Sequence, residues 1–386
     1  MSILKIETYI PAPGHITDTD HENEPERFVN IGTAADPLFV DPEAATKEQA
    51  NKANELKRAL AARMFNHEQQ PERPEPVLSL GGKPLSTAGN ITNIQAGVKA
   101  GKSAAIGGII AAIIRGNYQC GDCLGFESNN EAGKAVIHFD TEQSRFDADA
   151  LIRRSIRRSG MDDKAPAWLM SYSLADIDTD DRRRALRIVM DEAVEAFGGI
   201  HAVIIDGVAD LCGGLNDDVQ AFGLVDELHK LSIRFDCPVI TVLHENPGSE
   251  GGKTRGHLGS QLERKAETNL RLVKSAEGIT TIFTEKSRHC HIPKAEGLCF
   301  QWSDTEGMHV SCGTAGAIHA AAKREKMQAE AEQVLTGDGM KYADLVGAIM
   351  DVHQLAERTA KERVKAWRAE GVILKHENGL HALINQ

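Results

Sequence analysis

The eight residues Ala96-Gly97-Val98-Lys99-Ala100-Gly101-Lys102-Ser103 combine small side chains with a closing Lys-Ser pair, and each type has a chemical use. Small residues let successive backbone N–H groups curl around an anion, a lysine reaches phosphate oxygens, and a serine hydroxyl can ligate magnesium. The octet lies between an apolar run suited to a strand and another suited to a helix, whose N-terminal dipole adds to an anion site. This is a phosphate-binding loop with Ala96 at the usual first glycine. The candidate cradle is Ala96, Gly97, Val98, Lys99, Ala100, Gly101, Lys102, Ser103 and Ala104.

A phosphate-bound magnesium ion needs a second carboxylate at the end of a buried strand, and Ala202-Val203-Ile204-Ile205-Asp206 is a short apolar run ending in one. Gly207 follows, so the base that activates water must come from elsewhere. Glu142, in Ile137-His138-Phe139-Asp140-Thr141-Glu142-Gln143, is the best-placed acid, because it closes the strand after the loop's helix. The expected ligands are ATP and magnesium, the metal held by Ser103 and Asp206.

In these motifs the chain resembles the RecA-like ATPases, which include RecA recombinases, DnaB-type helicases, the hexameric RepA helicases of plasmids and mobile-element AAA ATPases. The resemblance covers roughly residues 77–305. It is closest to the RepA-type and mobile-element proteins, through Leu80-Gly81-Gly82-Lys83-Pro84-Leu85 before the loop's strand and Arg255-Gly256-His257-Leu258-Gly259-Ser260 before a helix. It implies that Glu142 is the catalytic glutamate and that His244, closing the apolar strand 239–243, senses the γ-phosphate. It implies further that the glycine-rich loop 246–256 contacts DNA through Lys253 and Arg255, and that Lys286 and Arg288 are paired cations inserted into a neighbouring subunit's site. The implied catalytic set is Glu142, Lys102, Lys286, Arg288 and His244. The implied function is an ATP-dependent motor on single-stranded DNA, a RepA- or DnaB-like replicative helicase or mobile-element ATPase, assembled as a homohexameric ring. The alternative is an ATP-gated DNA-binding regulator, or a recombination or mobilisation accessory protein without helicase activity. A small-molecule kinase is disfavoured, since the sequence holds no evident substrate lid.

The elements that must position these residues are legible as β-branched runs alternating with helical segments, the pattern of a parallel sheet wrapped by helices. Strands are expected over 91–96, 135–140, 202–206 and 238–244, and helices over 103–115, 146–159, 182–197 and 219–235. Strands 269–274 and 279–285 form an antiparallel hairpin expected at the sheet's edge. Beyond a helix over 317–335, helices 341–353 and 356–370 precede two strands joined by Asn378-Gly379, which predicts a winged helix-turn-helix. Its second helix carries Arg358, Lys361, Lys365 and Arg368 on one stripe, candidates for DNA contact, with Ala360, Val364 and Trp367 on another. The expected fold class is α/β: a RecA-like P-loop core with a mostly parallel sheet over 76–312, and a C-terminal winged helix domain over 317–386. Residues 1–75 are expected to be an acidic, proline-rich, mostly disordered region with one helix within 42–66, since nine of the thirteen prolines precede residue 85.

Two weaker signals are discounted. Cys120 and Cys123 have the spacing of half a zinc site, but no second spaced pair accompanies them. Arg153, Arg154, Arg157 and Arg158 share a broad helical face, read as solvated.

A net charge of −12 disfavours a nucleic-acid partner at first sight. Fourteen acids and eight bases within residues 1–80 account for about half of that deficit, whereas residues 317–386 carry ten of each. The acidic tail is expected to compete with DNA for the basic loop. Aromatic content of 5% counts against a stacking platform for single strands, so any grip is expected from loops and charge. The longest apolar run, 104–114, is too short to span a bilayer, and the first ten residues have no secretory pattern. The expectation is a cytoplasmic protein with no membrane partner and reduced thiols.

Overall fold

Alternating apolar residues in short runs place one set of side chains on each face of a strand, and here both faces are covered. The structure, a computed structural model, describes residues 29–30, 39–40, 42–116, 121–161, 164–214, 216–246, 254, 256–335 and 339–384. The chain divides into two units, Met1–Arg73 and Pro74–Gln386.

In the first unit β1 (Val29–Asn30) pairs antiparallel with β2 (Phe39–Val40). Helix α1 (Pro42–Ala61) starts on proline, whose missing N–H costs nothing at a first helical position. Leu56, Leu60 and Met64, at four-residue spacing, are exposed. The expectation of disorder concerns residues that mostly lie outside the described set.

The second unit opens with β3 (Pro76–Leu80), β4 (Lys83–Thr87) and β5 (Ile91–Ala96), followed by α2 (Lys102–Arg115), β6 (Phe126–Glu127) and β7 (Ala135–Asp140). Next come α3 (Arg145–Ser159), β8 (Leu169–Ser173), α4 (Thr179–Phe197), β9 (Ile200–Asp206), α5 (Asp218–Arg234) and β10 (Val239–His244). Then follow α6 (Gly256–Lys265), β11 (Thr268–Lys274), β12 (Thr280–Ser287), β13 (Leu298–Ser303), β14 (Met308–Thr314) and α7 (Ala315–Glu332). The last elements are β15 (Met340–Lys341), α8 (Tyr342–His353), α9 (Glu357–Ala369), β16 (Ile373–Lys375) and β17 (Leu380–Leu383).

A nine-stranded sheet runs β14-β13-β12-β11-β5-β10-β9-β7-β8. From β8 to β11 all pairings are parallel; β12, β13 and β14 continue antiparallel. Ile94, Val136, Ile204 and Val242 face one core with α2 and α3, whereas Ile91, Ile137, Ile205 and Leu243 face the other with α4, α5 and α6. Helix α2 is buried from Ala105 to Ile114, which explains an apolar run that extends all round the helix. Each such Ile, fully covered, contributes about 1.5–3 kcal/mol.

Three expectations are corrected. The hairpin β11–β12 is not the edge: β11 pairs with β5 beside the phosphate loop, and β13–β14 extend the sheet beyond it. Their sequences, LCFQWS and MHVSCGT, mix polar and small residues and lack a clean alternation. The 255–260 stretch does not precede a helix, since α6 begins at Gly256. The arginine face of α3 is not uniformly solvated: Arg158 is buried, donating to the carbonyls of Asp122 and His309, both at 2.6 Å. Strand β8 and the small sheet β4-β3-β6 were not expected either.

At the C-terminus, α8 and α9 close on a three-stranded sheet ordered β15-β17-β16, around a core containing Leu345, Ile349, Ala360, Val364 and Trp367. Among the described residues no helix is long and apolar enough to cross a membrane.

Candidate active site

Strand β5 delivers the phosphate loop between β10 and β11, with Ala96 aligned to His244 on one side and Leu272 on the other. Ala96 is still in extended sheet, where a Cβ is tolerated, so alanine at this position costs the loop nothing. Gly101 has no such freedom. Its φ is 90°, and an added Cβ would lie 2.8 Å from the Phe300 ring of β13. No side chain caps α2 at Gly101, so the helix's first N–H groups remain available to an anion. Val98 projects from the loop tip and Ala100 is buried beneath it. Ser103, in the first turn of α2, lines a cavity of about 200 Å³ together with Arg154, Arg158, Trp302 and His309.

Two acids, Glu142 and Asp206, act on Lys102, and a third, Asp140, acts on Asp206. Asp206 and Asp140 close β9 and β7 in register, both buried. Asp140 accepts the Glu142 and Gln143 amides, at 3.0 and 2.8 Å, and Nε2 of Gln143 at 2.6 Å, and so sets the turn that presents Glu142. Burial, then Asp140 and Glu142, push the Asp206 carboxyl up to about 7 against the pull of Lys102. Lys102 is itself held below its ordinary value by burial, opposed by Glu142 and Asp206.

Gly207 shows why no side chain can follow Asp206 directly. Its φ is 89°, and a Cβ there would lie 2.2 Å from Thr141 Oγ1 and 2.8 Å from Glu142 Cγ. Thr141 Oγ1 lies within 3.0 Å of the Gly207 carbonyl. The seat is occupied by the turn from β7.

His244 joins the two halves of the site. Its Nδ1 lies 3.0 Å from Lys102 Nζ and its Nε2 lies 3.2 Å from Glu142 Oε2. An ammonium only donates, so Nδ1 accepts and Nε2–H donates to the carboxylate. His138, two residues before Asp140 on the same strand face, was missed. Its i, i+2 spacing was the available signal. Burial pushes it down to about 4, against Asp140. His138, Asp140 and Asp206 offer ligand atoms within 4.8 Å of one another, the one such group among the described residues. Buried carboxylates that hold one of their number protonated suit a dication, which would relieve their mutual repulsion.

Other expected residues lie elsewhere. Lys286 aligns with Asn269, and through it with Asn93, while the Arg288 amide bonds the Glu267 carbonyl, so both sit toward the opposite end of β5 from Ala96. Lys286 Nζ lies 3.8 Å from Glu263, and Arg288 donates to the Lys265 carbonyl at 3.1 Å. Lys253 and Arg255 lie outside the described residues, as does Cys120. On α9, Arg358 pairs with Glu362 and Lys361 with Glu357. Lys361, Lys365, Arg368 and Tyr342 line a groove of about 650 Å³.

The sequence profile of the AAA domain family matches residues 53–250, just over half of the chain. The chain belongs to that family. This AAA domain protein is thus a P-loop ATPase, built on an α/β fold whose central sheet is mostly parallel. No curated protein matches it in sequence. Among solved structures, the RadB recombinase is 16% identical with a TM-score of 0.38, over 58% of this chain and 90% of that one. A KaiC-like protein from Pyrococcus horikoshii OT3 is 16% identical with a TM-score of 0.40, over 63% of this chain and 100% of that one. The matched part of the AAA domain protein contains the phosphate loop, Glu142, Asp206 and His244, whereas Lys286, Arg288 and α9 follow it.

Proposed function

We propose that the protein hydrolyses Mg-ATP as a DNA-associated motor of the RepA or DnaB type, working as a ring whose subunits complete one another's sites. The observation that carries this reading is the continuous contact Lys102–His244–Glu142 beside buried Asp206. Residues 96–104 wrap the triphosphate with backbone N–H groups, and Lys102 turns from His244 to its β/γ oxygens. Glu142 accepts the proton of the attacking water. His244, held between Lys102 and Glu142, loses its lysine donor when phosphate claims Lys102, which makes it the sensor. Ser103 and Asp206 would hold magnesium, which when bound neutralises phosphate charge.

The chain's own Lys286 and Arg288 sit toward the far end of the sheet from its phosphate loop, which favours their delivery to a neighbour's site. Charge developing on the transferred phosphoryl group is then stabilised only in the assembly, a homohexamer in this reading. Single-stranded DNA is held by Lys253 and Arg255. The β15-α8-α9-β16-β17 order supports a winged helix, in which Arg358, Lys361, Lys365 and Arg368 would face a phosphate backbone. The groove beside Tyr342 favours a second reading, an ATP-gated regulator bound to duplex DNA through this module.

Steady-state ATP hydrolysis with and without single-stranded DNA, measured alongside particle mass, tests the proposal. Stimulation from a ring-sized particle supports the motor. Slow turnover indifferent to single strands, from a monomer or dimer, refutes it in favour of the regulator.

A further inference from the structure

Lys286 and Arg288 need more than charge to serve a neighbour, because a cation misplaced by about 1 Å can lose on the order of a hundredfold in rate. The end of β12 that bears them is fixed from outside the strand. Glu267, just before β11, has a side chain with 0% exposure. Its Oε1 accepts the Thr87 amide at 2.6 Å, and Oε2 accepts the Thr87 hydroxyl at 2.8 Å and faces His289 Nε2 at 3.1 Å. Its carbonyl accepts the Arg288 amide at 2.8 Å, and its own amide donates to Ile91 at 2.8 Å. One residue therefore grips the strand entering the phosphate loop, the turn after Lys286, and the backbone of Arg288 itself.

Two further features set the aim of this segment. The β11–β12 ladder shifts register between Asn269 and Leu270, so that Lys286 and Thr284 oppose consecutive residues and Glu285 is the extra one. Such bulges re-aim side chains and recur beside functional sites. Ser287 Oγ then accepts the His289 and Cys290 amides, at 3.3 and 3.1 Å, closing the turn. A fully covered carboxylate is a costly staple, pushed up by burial against Thr87 and His289. A buried polar group with every bond made fixes one geometry, where an apolar side chain would permit several.

We propose that Glu267, acting with Thr87 and His289, is the positioning residue for Lys286 and Arg288 as they complete a neighbouring subunit's site. The inference rests on the trans-acting reading above. Glu267→Gln keeps the size of the side chain but loses a carboxylate acceptor, and His289→Ala removes a partly exposed partner, so that at least one variant retains the fold. In both, kcat should fall about tenfold with KM for ATP unchanged, the mark of an interaction made only in the transition state.

Mixing decides between positioning and a general structural role. Either variant is combined with Lys102→Ala, whose phosphate loop is disabled but whose cations are intact. Positioning in trans predicts turnover in the mixture well above the average of the two proteins alone. Arg288→Ala mixed with Lys102→Ala serves as the reference pair. If the reference pair recovers and the Glu267 and His289 mixtures do not, this inference is overturned. If the reference pair itself fails to recover, the trans reading falls with it. Unaltered kcat in both single variants also overturns the inference.

Discussion

Asp206→Asn should abolish turnover and at the same time make the protein more stable. Raising a carboxyl from 3.8 to about 7 sets about 4 kcal/mol against its ionised form in the folded state. The folded state holds this proton more tightly than the unfolded chain, so folding weakens as pH rises from 3.8 to about 7, and the whole cost is present above that window. Asparagine fills the same volume and cannot ionise. Its amide must still be accommodated beside Asp140, so roughly half of the cost should be recovered, about 2 kcal/mol, or about 3 °C in Tm for a folded unit of this size. Chemical and thermal unfolding of both proteins, without nucleotide, at about pH 8 and about pH 5 measures this directly, and the advantage should shrink by more than half at the lower pH. Equal stability at the higher pH, or a gain independent of pH, would refute the argument that Asp206 is held at an energetic cost for the sake of a bound cation.

Magnesium-dependent nucleotide binding should weaken about tenfold between about pH 8 and about pH 6, because the proton on Asp206 competes with the metal; fluorescent-nucleotide titrations would detect it. Glu142→Gln should lower kcat by about a hundredfold or more while leaving nucleotide affinity within a few-fold, as read by single-turnover kinetics. Gly207→Ala should cost about 1–3 kcal/mol by forcing a left-handed residue against Thr141 and Glu142, with turnover lost alongside; wild-type turnover in that variant would contradict the packing. On α9, Lys365→Ala and Arg368→Ala should each reduce the salt slope of DNA binding by about one, whereas Arg358→Ala, already paired with Glu362, should change it less.

The signals that carried furthest were local. The phosphate loop, the strand ending at Asp206 and the Asn378-Gly379 hairpin are each written within a dozen residues, in the types and spacing of those residues themselves. The pair β13–β14 was illegible because its strands are defined by what β12 offers as a partner, not by their own alternation. Arg158 reads as a solvated cation in any helical projection. It becomes a buried donor only because the carbonyls of Asp122 and His309, distant in sequence, converge on it.

The same division runs through the site. Residue types alone determined which groups can bind phosphate, ligate a metal and accept a proton, since those capacities belong to side chains. Tertiary structure alone decided that His244 spans Lys102 and Glu142, that Asp206 retains a proton near neutrality, and that Glu267 grips the strand end bearing Arg288. Each of those depends on burial and on distances between segments up to about 200 residues apart, where the low dielectric of a packed interior, rather than sequence spacing, sets the strength of an interaction.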